Sequence, residues 1–334
     1  MPKIRIEAPA KLNLHLRIGG KRSDGYHDID SVFLALAFGD TLHFQTASPD
    51  FGNGALEITM NWRLFSEGLP PDIPPEKNII SRAVCLFREH TGFEAGLKIA
   101  VEKRIPCGSG LGGGSSDAAA ALLVLNSLFS SCGGRPVSAE ALCEMGAALG
   151  SDVPFFLSIA DPAAGSGFGG AAVKGRGEKV RPFTLSQEMR SLVFLLVNPG
   201  FPSDTASAYR LLDEARAGEE ETESEEREQG SLFPIPHSPF DWSFANDFLP
   251  AFEKAAPLCG NSSGSVYRDI ISGLKAAGAG FAGLSGSGST CFGAFISTET
   301  AQKAKNSLLK NNKFYMIETF PLALCPMPYY NIRK

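Results

Sequence analysis

At 334 residues, 43% of them hydrophobic and 20% charged, the chain is long enough for two domains with sizeable cores around a shared cleft. A net charge of −5 argues against a broad basic face for nucleic-acid phosphates, and no run of about 20 apolar residues is present to span a bilayer. The 7 cysteines, an odd number without C-x-x-C spacing, read as reduced thiols of a cytoplasmic protein, with neither a disulfide framework nor a zinc site.

The N-terminal region reads mostly as strands. "KIRIEA" and "KLNLHLRI" alternate apolar and polar residues with period two, and "SVFLALAF", "DTLHFQTA", "ALEITM" and "GLKIAVEK" are further strand candidates. A helix fits "NIISRAVCLFREHTG", with Gly92 as its stop. A glycine-rich loop then leads into a helix from about Ser115 to Phe129, and another runs through "SAEALCEMGAALG", capped by Ser138 and ended at Gly150. Strands resume at "AAVKGRGEKVRPF" and "SLVFLLVNPG", followed by a helix at "TASAYRLLDEARA". Residues 218–240 are acidic, then proline-rich, and read as a surface insertion that cannot bury a core. A helix at "SVYRDIISGLKAAG", a strand region at "FAGLSGSGSTCFGAFI", a helix at "ETAQKAKNSLLKN" and a last strand at "KFYMIETFPLA" complete a second α+β unit. The glycine- and alanine-rich stretch "ADPAAGSGFGGAA" suggests a division into residues 1–165 and 166–334.

The chemistry is concentrated in "RIPCGSGLGGGSSDAAAALLVLNSLF", residues 104–129. "GSGLGG", from Gly108 to Gly113, fits G-x-G-x-x-G between a strand and a helix. A dinucleotide-binding loop would need a ribose-binding acid about 20 residues later, where "SSCGGRPVS" has none. A P-loop would need lysine before the hydroxyl residue, where Gly114 precedes Ser115. The tripeptide "DFG" at Asp50–Gly52 precedes the loop, and no HRD occurs, so the protein-kinase pattern fails. What remains is a loop whose backbone N–H groups and following helix N-terminus hold an anion. Ser115 and Ser116 add hydroxyls able to cap the helix or reach a phosphate or Mg2+, and Asp117 suits the first turn. A glycine turn without a ligand is the plainer reading, but glycines cost conformational entropy that a connector need not incur.

The segment from Pro106 to Ala120 resembles the central motif of the GHMP kinases. "APAKLNLHL" (residues 8–16) and "GFAGLSGSGSTCFGAF" (residues 280–295) resemble the family's first and third motifs, in the family's order. The resemblance implies an α+β fold of two domains, the first like ribosomal protein S5 domain 2 with a left-handed β-α-β unit, the second ferredoxin-like. "RSDGYHDIDSVF", "GSDVPFFL", "GRGEKVRP" and "NPGFPSDTASAY" resemble members whose acceptor is a methylerythritol carrying a CDP group. Those members imply ATP-dependent phosphorylation, with Mg2+, of its tertiary 2-hydroxyl in isoprenoid precursor synthesis. A homoserine- or mevalonate-type kinase is the alternative; paired aromatics in "DGYH" and "TASAY" favour a flat base instead.

Carried over by motif, Lys11 and Asp152 are the catalytic pair, with Asp152 orienting the acceptor hydroxyl and taking its proton. On the ATP side the resemblance implies Asn78 and Lys103 near the adenine. It also implies Pro106, Gly108, Gly110, Leu111, Gly112, Gly113, Gly114, Ser115, Ser116 and Asp117 around the phosphates. On the acceptor side it implies Asn13, Tyr26, His27, Thr205 and Tyr209, with Gly286 and Ser287 of the second glycine loop forming another wall.

Overall fold

The computed structural model describes residues 3–47, 52–63, 73–160, 169–217, 238–259, 263–311 and 315–321. Most of the acidic stretch read as an insertion lies outside them. In chain order the strands are β1 (Lys3–Lys21), β2 (His27–Thr46), β3 (Leu56–Trp62), β4 (Leu97–Lys103), β5 (Gly170–Gly175), β6 (Lys179–Phe183), β7 (Val193–Asn198), β8 (Phe281–Leu284), β9 (Cys291–Phe295) and β10 (Tyr315–Pro321). The helices are α1 (Ile79–Thr91), α2 (Gly113–Ser131), α3 (Ala139–Leu149), α4 (Val153–Ala160), α5 (Gln187–Ser191), α6 (Thr205–Arg216), α7 (Phe248–Cys259), α8 (Ser263–Ala276) and α9 (Thr298–Asn311).

Two sheets organise these elements. In the first, β1 pairs antiparallel with β2 along nearly its whole length. The other edge of β2 is shared: residues 41–46 pair with β4 and residues 29–34 with β5. β3 runs parallel to β4 with α1 between them, and β6 closes the far side against β5. The second sheet has the antiparallel order β10-β7-β9-β8.

Local sequence signals explain both ends of α1 and of α3. Asn78 caps α1 by accepting from Ile80 N–H, and Gly92 ends it in the left-handed conformation. Ser138 caps α3 through Ala141 N–H. α4, α5 and α7 are additional to the helices read from periodicity; α4 and α5 span only 8 and 5 residues, too short for a helical pattern to stand out.

β1 and β2 each fuse two segments that periodicity separates. A bulge explains why the chain continues. The β1–β2 register shifts between Pro9 and Lys11, where Pro9 lies opposite Gly39. Before the bulge, Ile4, Ile6 and Ala8 belong to the core beneath α1–α4. After it, Ala10, Leu12 and Leu14 belong to the core shared with the second sheet. Between Pro9 and Lys11 β1 advances two residues while β2 passes four, from Gly39 to Ala35, and across this irregularity the even-numbered residues of β1 pass from one core to the other. Lys11 and Asn13, which would otherwise follow the opposite face, turn toward the side that carries the glycine loop.

The division read at residue 165 does not coincide with the sheets. β5 and β6 lie beyond it yet extend the first sheet, so the second opens only with β7. The last three residues of the linker-like stretch, Gly170, Ala171 and Ala172, belong to β5, where a Cβ on Gly170 would meet Phe183 and Leu34.

A Cβ on Gly39 would overlap the Ala8 carbonyl, whereas one on Gly20 meets nothing within 4 Å. Gly39→Ala should therefore lower unfolding free energy by about 1–3 kcal/mol in urea titrations, with Gly20→Ala close to neutral; equal effects would dismiss the steric account of the bulge.

Candidate active site

A cleft of about 940 Å³ runs along the first glycine loop, with the second glycine loop and α6 contributing to its walls. All of the site residues named from sequence line it except Leu111 and Ser116. Leu111 is buried below the loop and offers its carbonyl to Lys11 N–H at 2.9 Å. Ser116 faces a small recess beside Ile6 and Ala8 instead.

The first loop is shaped by glycines in the left-handed region, among them Gly110 (φ 76°) and Gly112 (φ 72°). A Cβ on Gly110 would collide with the Ser285 carbonyl, and one on Gly112 would come 3.0 Å from Lys11 Cγ. Gly112 also caps α2 without any side-chain bond, leaving the first-turn N–H groups without intrahelical partners. Four successive loop carbonyls are tied down. Gly108 O accepts from Ser203 N–H (2.7 Å), Ser109 O from Thr290 N–H (3.0 Å), Gly110 O from Ser285 Oγ (3.0 Å), and Leu111 O from Lys11 N–H. A trans peptide points its N–H opposite its C=O, so the amides of residues 109–112 face away from those partners. That geometry suits an anion cradle.

Lys11 is buried at the foot of this loop. Its Nζ lies 2.5 Å from Asn13 Oδ1, 3.3 Å from Asp152 Oδ2, and 4.8 Å from the centre of the Phe33 ring. Asn13 is held in turn by Ser31 Oγ (3.1 Å), and its N–H donates to Ser285 Oγ (3.2 Å). Asp152 sits in the turn between α3 and α4, with its side chain 27% exposed to the cleft. The arrangement places a buried cation and a part-exposed carboxylate side by side near the phosphate loop.

Across the cleft, His27 stacks on Tyr209, with ring centres 4.9 Å apart and planes at 18°. His27 Nε2 lies 2.8 Å from Asp213 Oδ1. Tyr209 packs edge-on against Phe248, and burial, reinforced by the Asp152 charge, pushes its phenol up to about 12. It therefore stays neutral at physiological pH. Tyr26 is 53% exposed, with the Arg176 guanidinium 4.9 Å over its ring. Thr205 Oγ1 and Ser287 Oγ are 3.0 Å apart, joining α6 to the second glycine loop.

Asn78 and Lys103 line the cleft but are already engaged. Asn78 Oδ1 caps α1, and its Nδ2 points at Met60 Sδ (3.6 Å). Lys103 Nζ binds the buried carboxylates of Asp40 and Asp117, the latter at 2.6 Å. Burial disfavours the lysine's charge, but the two carboxylates outweigh this and hold its pKa above the ordinary value. Burial pushes Asp117 up to about 7; Lys103 opposes that rise and Asp40 adds to it.

Sequence motifs did not reveal Asp40, Asp213 or Asn246. Asp213 was within reach, lying four residues after Tyr209 and so on the same face of α6. Asn246 fixes the second loop by donating from Nδ2 to Leu284 O and Gly286 O, both at 2.8 Å. Its neighbours bind Leu16 of β1: Leu16 N–H donates to Ala245 O and Asp247 N–H to Leu16 O.

Two glycine loops on facing sheets, with a buried lysine and an aspartate between them, define a nucleotide-dependent small-molecule kinase site. Residues 78–158 match the GHMP kinases N terminal domain and residues 244–313 the GHMP kinases C terminal domain. A 4-diphosphocytidyl-2-C-methyl-D-erythritol kinase of Treponema pallidum (strain Nichols) is 34% identical over 93% of this chain and 96% of its own. The kinase of the same name from Xanthomonas axonopodis pv. citri (strain 306) is 34% identical over 89% of this chain and 84% of its own. A crystal structure of a 4-(cytidine 5'-diphospho)-2C-methyl-D-erythritol kinase superposes with a TM-score of 0.63 at 27% identity, covering 95% of this chain and 99% of that one. The chain belongs to the GHMP kinases and, within them, to the family of these 4-diphosphocytidyl-2-C-methyl-D-erythritol kinases.

Asp117 titrates near 7 in the folded chain and near 3.8 when unfolded, so the folded state binds more protons between those values. Its contribution is therefore full below the unfolded value and is lost as pH rises through about 7. Asp117→Asn leaves Lys103 one carboxylate. Thermal unfolding should show the variant gaining relative to the parent as pH goes from 5 to 8; a relative loss at pH 8 would contradict the shift.

Proposed function

We propose that the cleft transfers the γ-phosphoryl group of ATP to the 2-hydroxyl of 4-diphosphocytidyl-2-C-methyl-D-erythritol, giving the 2-phosphate and ADP. The observation that carries the reading is the 3.3 Å approach of Lys11 Nζ and Asp152 Oδ2 beside a loop whose carbonyls are all turned to other partners. Phosphoryl transfer asks the protein for positioning and charge stabilisation more than for covalent chemistry. The loop amides and the α2 N-terminus hold the β- and γ-phosphates, and Lys11 meets charge on the transferring group. Asp152 accepts the hydroxyl proton as the new O–P bond forms and the bond to the β-phosphate oxygen breaks. Its short distance to the lysine makes orientation of the hydroxyl the larger part of its task.

Mg2+ accompanies ATP in this reading. Among the described residues no group of three acidic, histidine or cysteine side chains could cage a metal. The donors that fit are hard oxygens, Ser115 Oγ and the Asp152 carboxylate at the cleft wall, together with the ATP phosphates and water. When bound, the ion neutralises phosphate charge. On the acceptor side, Tyr26, His27 and Tyr209 take the cytosine, with Asp213 setting the orientation of the histidine ring. His27 covers one face of Tyr209, and the exposed Tyr26 ring has the Arg176 guanidinium over it. We place the division between the two domains in the segment joining β6 and β7, where the pairing of the first sheet ends.

Purified chain mixed with Mg·ATP and the CDP-methylerythritol acceptor should release ADP; silence there with turnover of mevalonate or homoserine would sink the assignment. Asp152→Asn should reduce kcat by about 100-fold or more while the KM for ATP changes little. Tyr209→Ala should act differently, raising the KM for the acceptor with a smaller effect on kcat; steady-state kinetics separates the two outcomes.

A further inference from the structure

Asp40 belongs to none of the motifs, yet its carboxylate is fully buried and receives three donors. Arg104 N–H (2.5 Å) and Ile105 N–H (2.8 Å) both donate to Oδ1, and the Lys103 ammonium binds Oδ2. Burying a carboxylate costs several kcal/mol unless such partners compensate it. An asparagine could not reproduce the set, having a single acceptor oxygen. These three consecutive donors are the end of β4 and the two residues that lead through Pro106 into the phosphate loop.

The far end of the loop reaches the same carboxylate. Lys103 Nζ also binds Asp117 Oδ2 at 2.6 Å, one turn into α2. Gly113, the first residue of α2, lies directly over the group: a Cβ there would come 3.4 Å from Asp40 Oδ2 and 2.9 Å from Ile105 Cγ2. The approach to the loop is thus held by Asp40 itself, and its exit by Asp40 through Lys103. Asp40 follows Gly39 in β2 and pairs with Ala8, one residue before the bulge that delivers Lys11. One side chain therefore relates the loop to the strand carrying the catalytic lysine.

We propose that Asp40 is a positioning residue for ATP, clamping both ends of the phosphate loop in register with Lys11. It touches neither nucleotide nor acceptor and acts through the loop backbone. The acceptor clamp at His27, Tyr209 and Asp213 shares no hydrogen bond with it. Loss of the clamp should then fall on the nucleotide: the reacting phosphate is displaced, and small misplacements are costly in phosphoryl transfer.

The inference rests on the cleft being an ATP site, and the test separates the two. Steady-state kinetics of the parent, Asp40→Asn and Asp40→Glu would be measured with both substrates varied, alongside thermal unfolding. Asp40→Glu keeps the charge and lengthens the arm by one methylene, which serves if Asp40→Asn does not fold. The expected result is a KM for ATP raised by about tenfold or more in a folded variant, with the KM for the acceptor within about twofold of the parent. A folded variant with an unchanged KM for ATP, or with both KM values raised alike, overturns the role of Asp40. A parent that turns over no ATP overturns the ATP reading itself, whatever the variants do.

Discussion

The site depends on one constraint: a glycine-rich loop holds an anion only if its carbonyls are kept out of the way. Here four successive carbonyls, from Gly108 to Leu111, accept from Ser203, Thr290, Ser285 and Lys11. Three of these donors come from the second half of the chain and one from β1. Neither half could build the cradle alone, because the loop by itself has no donors to replace them. The second glycine loop thus acts first as a brace for the first, a role that follows from backbone geometry before any ligand is considered.

Two buried lysines show how similar charges are put to different use. Lys103 sits between two carboxylates, so its charge is consumed inside the protein and its work is to join β4 to α2. Lys11 has one carboxylate at 3.3 Å, an amide oxygen and an aromatic face. Its partner Asp152 remains open to the cleft, so the pair keeps capacity for a substrate hydroxyl and a phosphoryl group. The difference lies in how fully the neighbouring carboxylates are enclosed.

Some of this was readable in residue order. Ser138, Gly92 and Gly150 mark helix ends through chemistry confined to a few neighbours, and α1 and α3 form as those signals indicate. The glycine loop, Lys11 and Asp152 stand in contiguous motifs. Ser115 and Ser116 are neighbours with the same hydroxyl in sequence, yet Ser115 lines the cleft and Ser116 a recess beside Ile6 and Ala8. Asp40 and Asn246 are an ordinary acid and an ordinary amide in sequence. Their partners lie elsewhere in the chain, Ile105 being 65 residues from Asp40 and Gly286 being 40 from Asn246.

The sequence by itself determined the repertoire: two glycine loops, a lysine in an alternating strand, an aspartate in the motif "GSDVPFFL", and aromatics spaced for a base. Those features depend on local periodicity and on residues that few backbones other than turns and helix starts require. Only the tertiary structure decided which face of β1 carries Lys11, because at the irregularity between Gly39 and Ala35 of β2 the same unbroken alternation of β1 passes from one core to the other. Only it decided that β5 and β6 close the first sheet, that Tyr209 leans on His27, and that the loop carbonyls point away from the cradle. Each of these is a contact between segments far apart in the chain, where burial and the need to pair every buried polar group choose among arrangements that local sequence leaves equal.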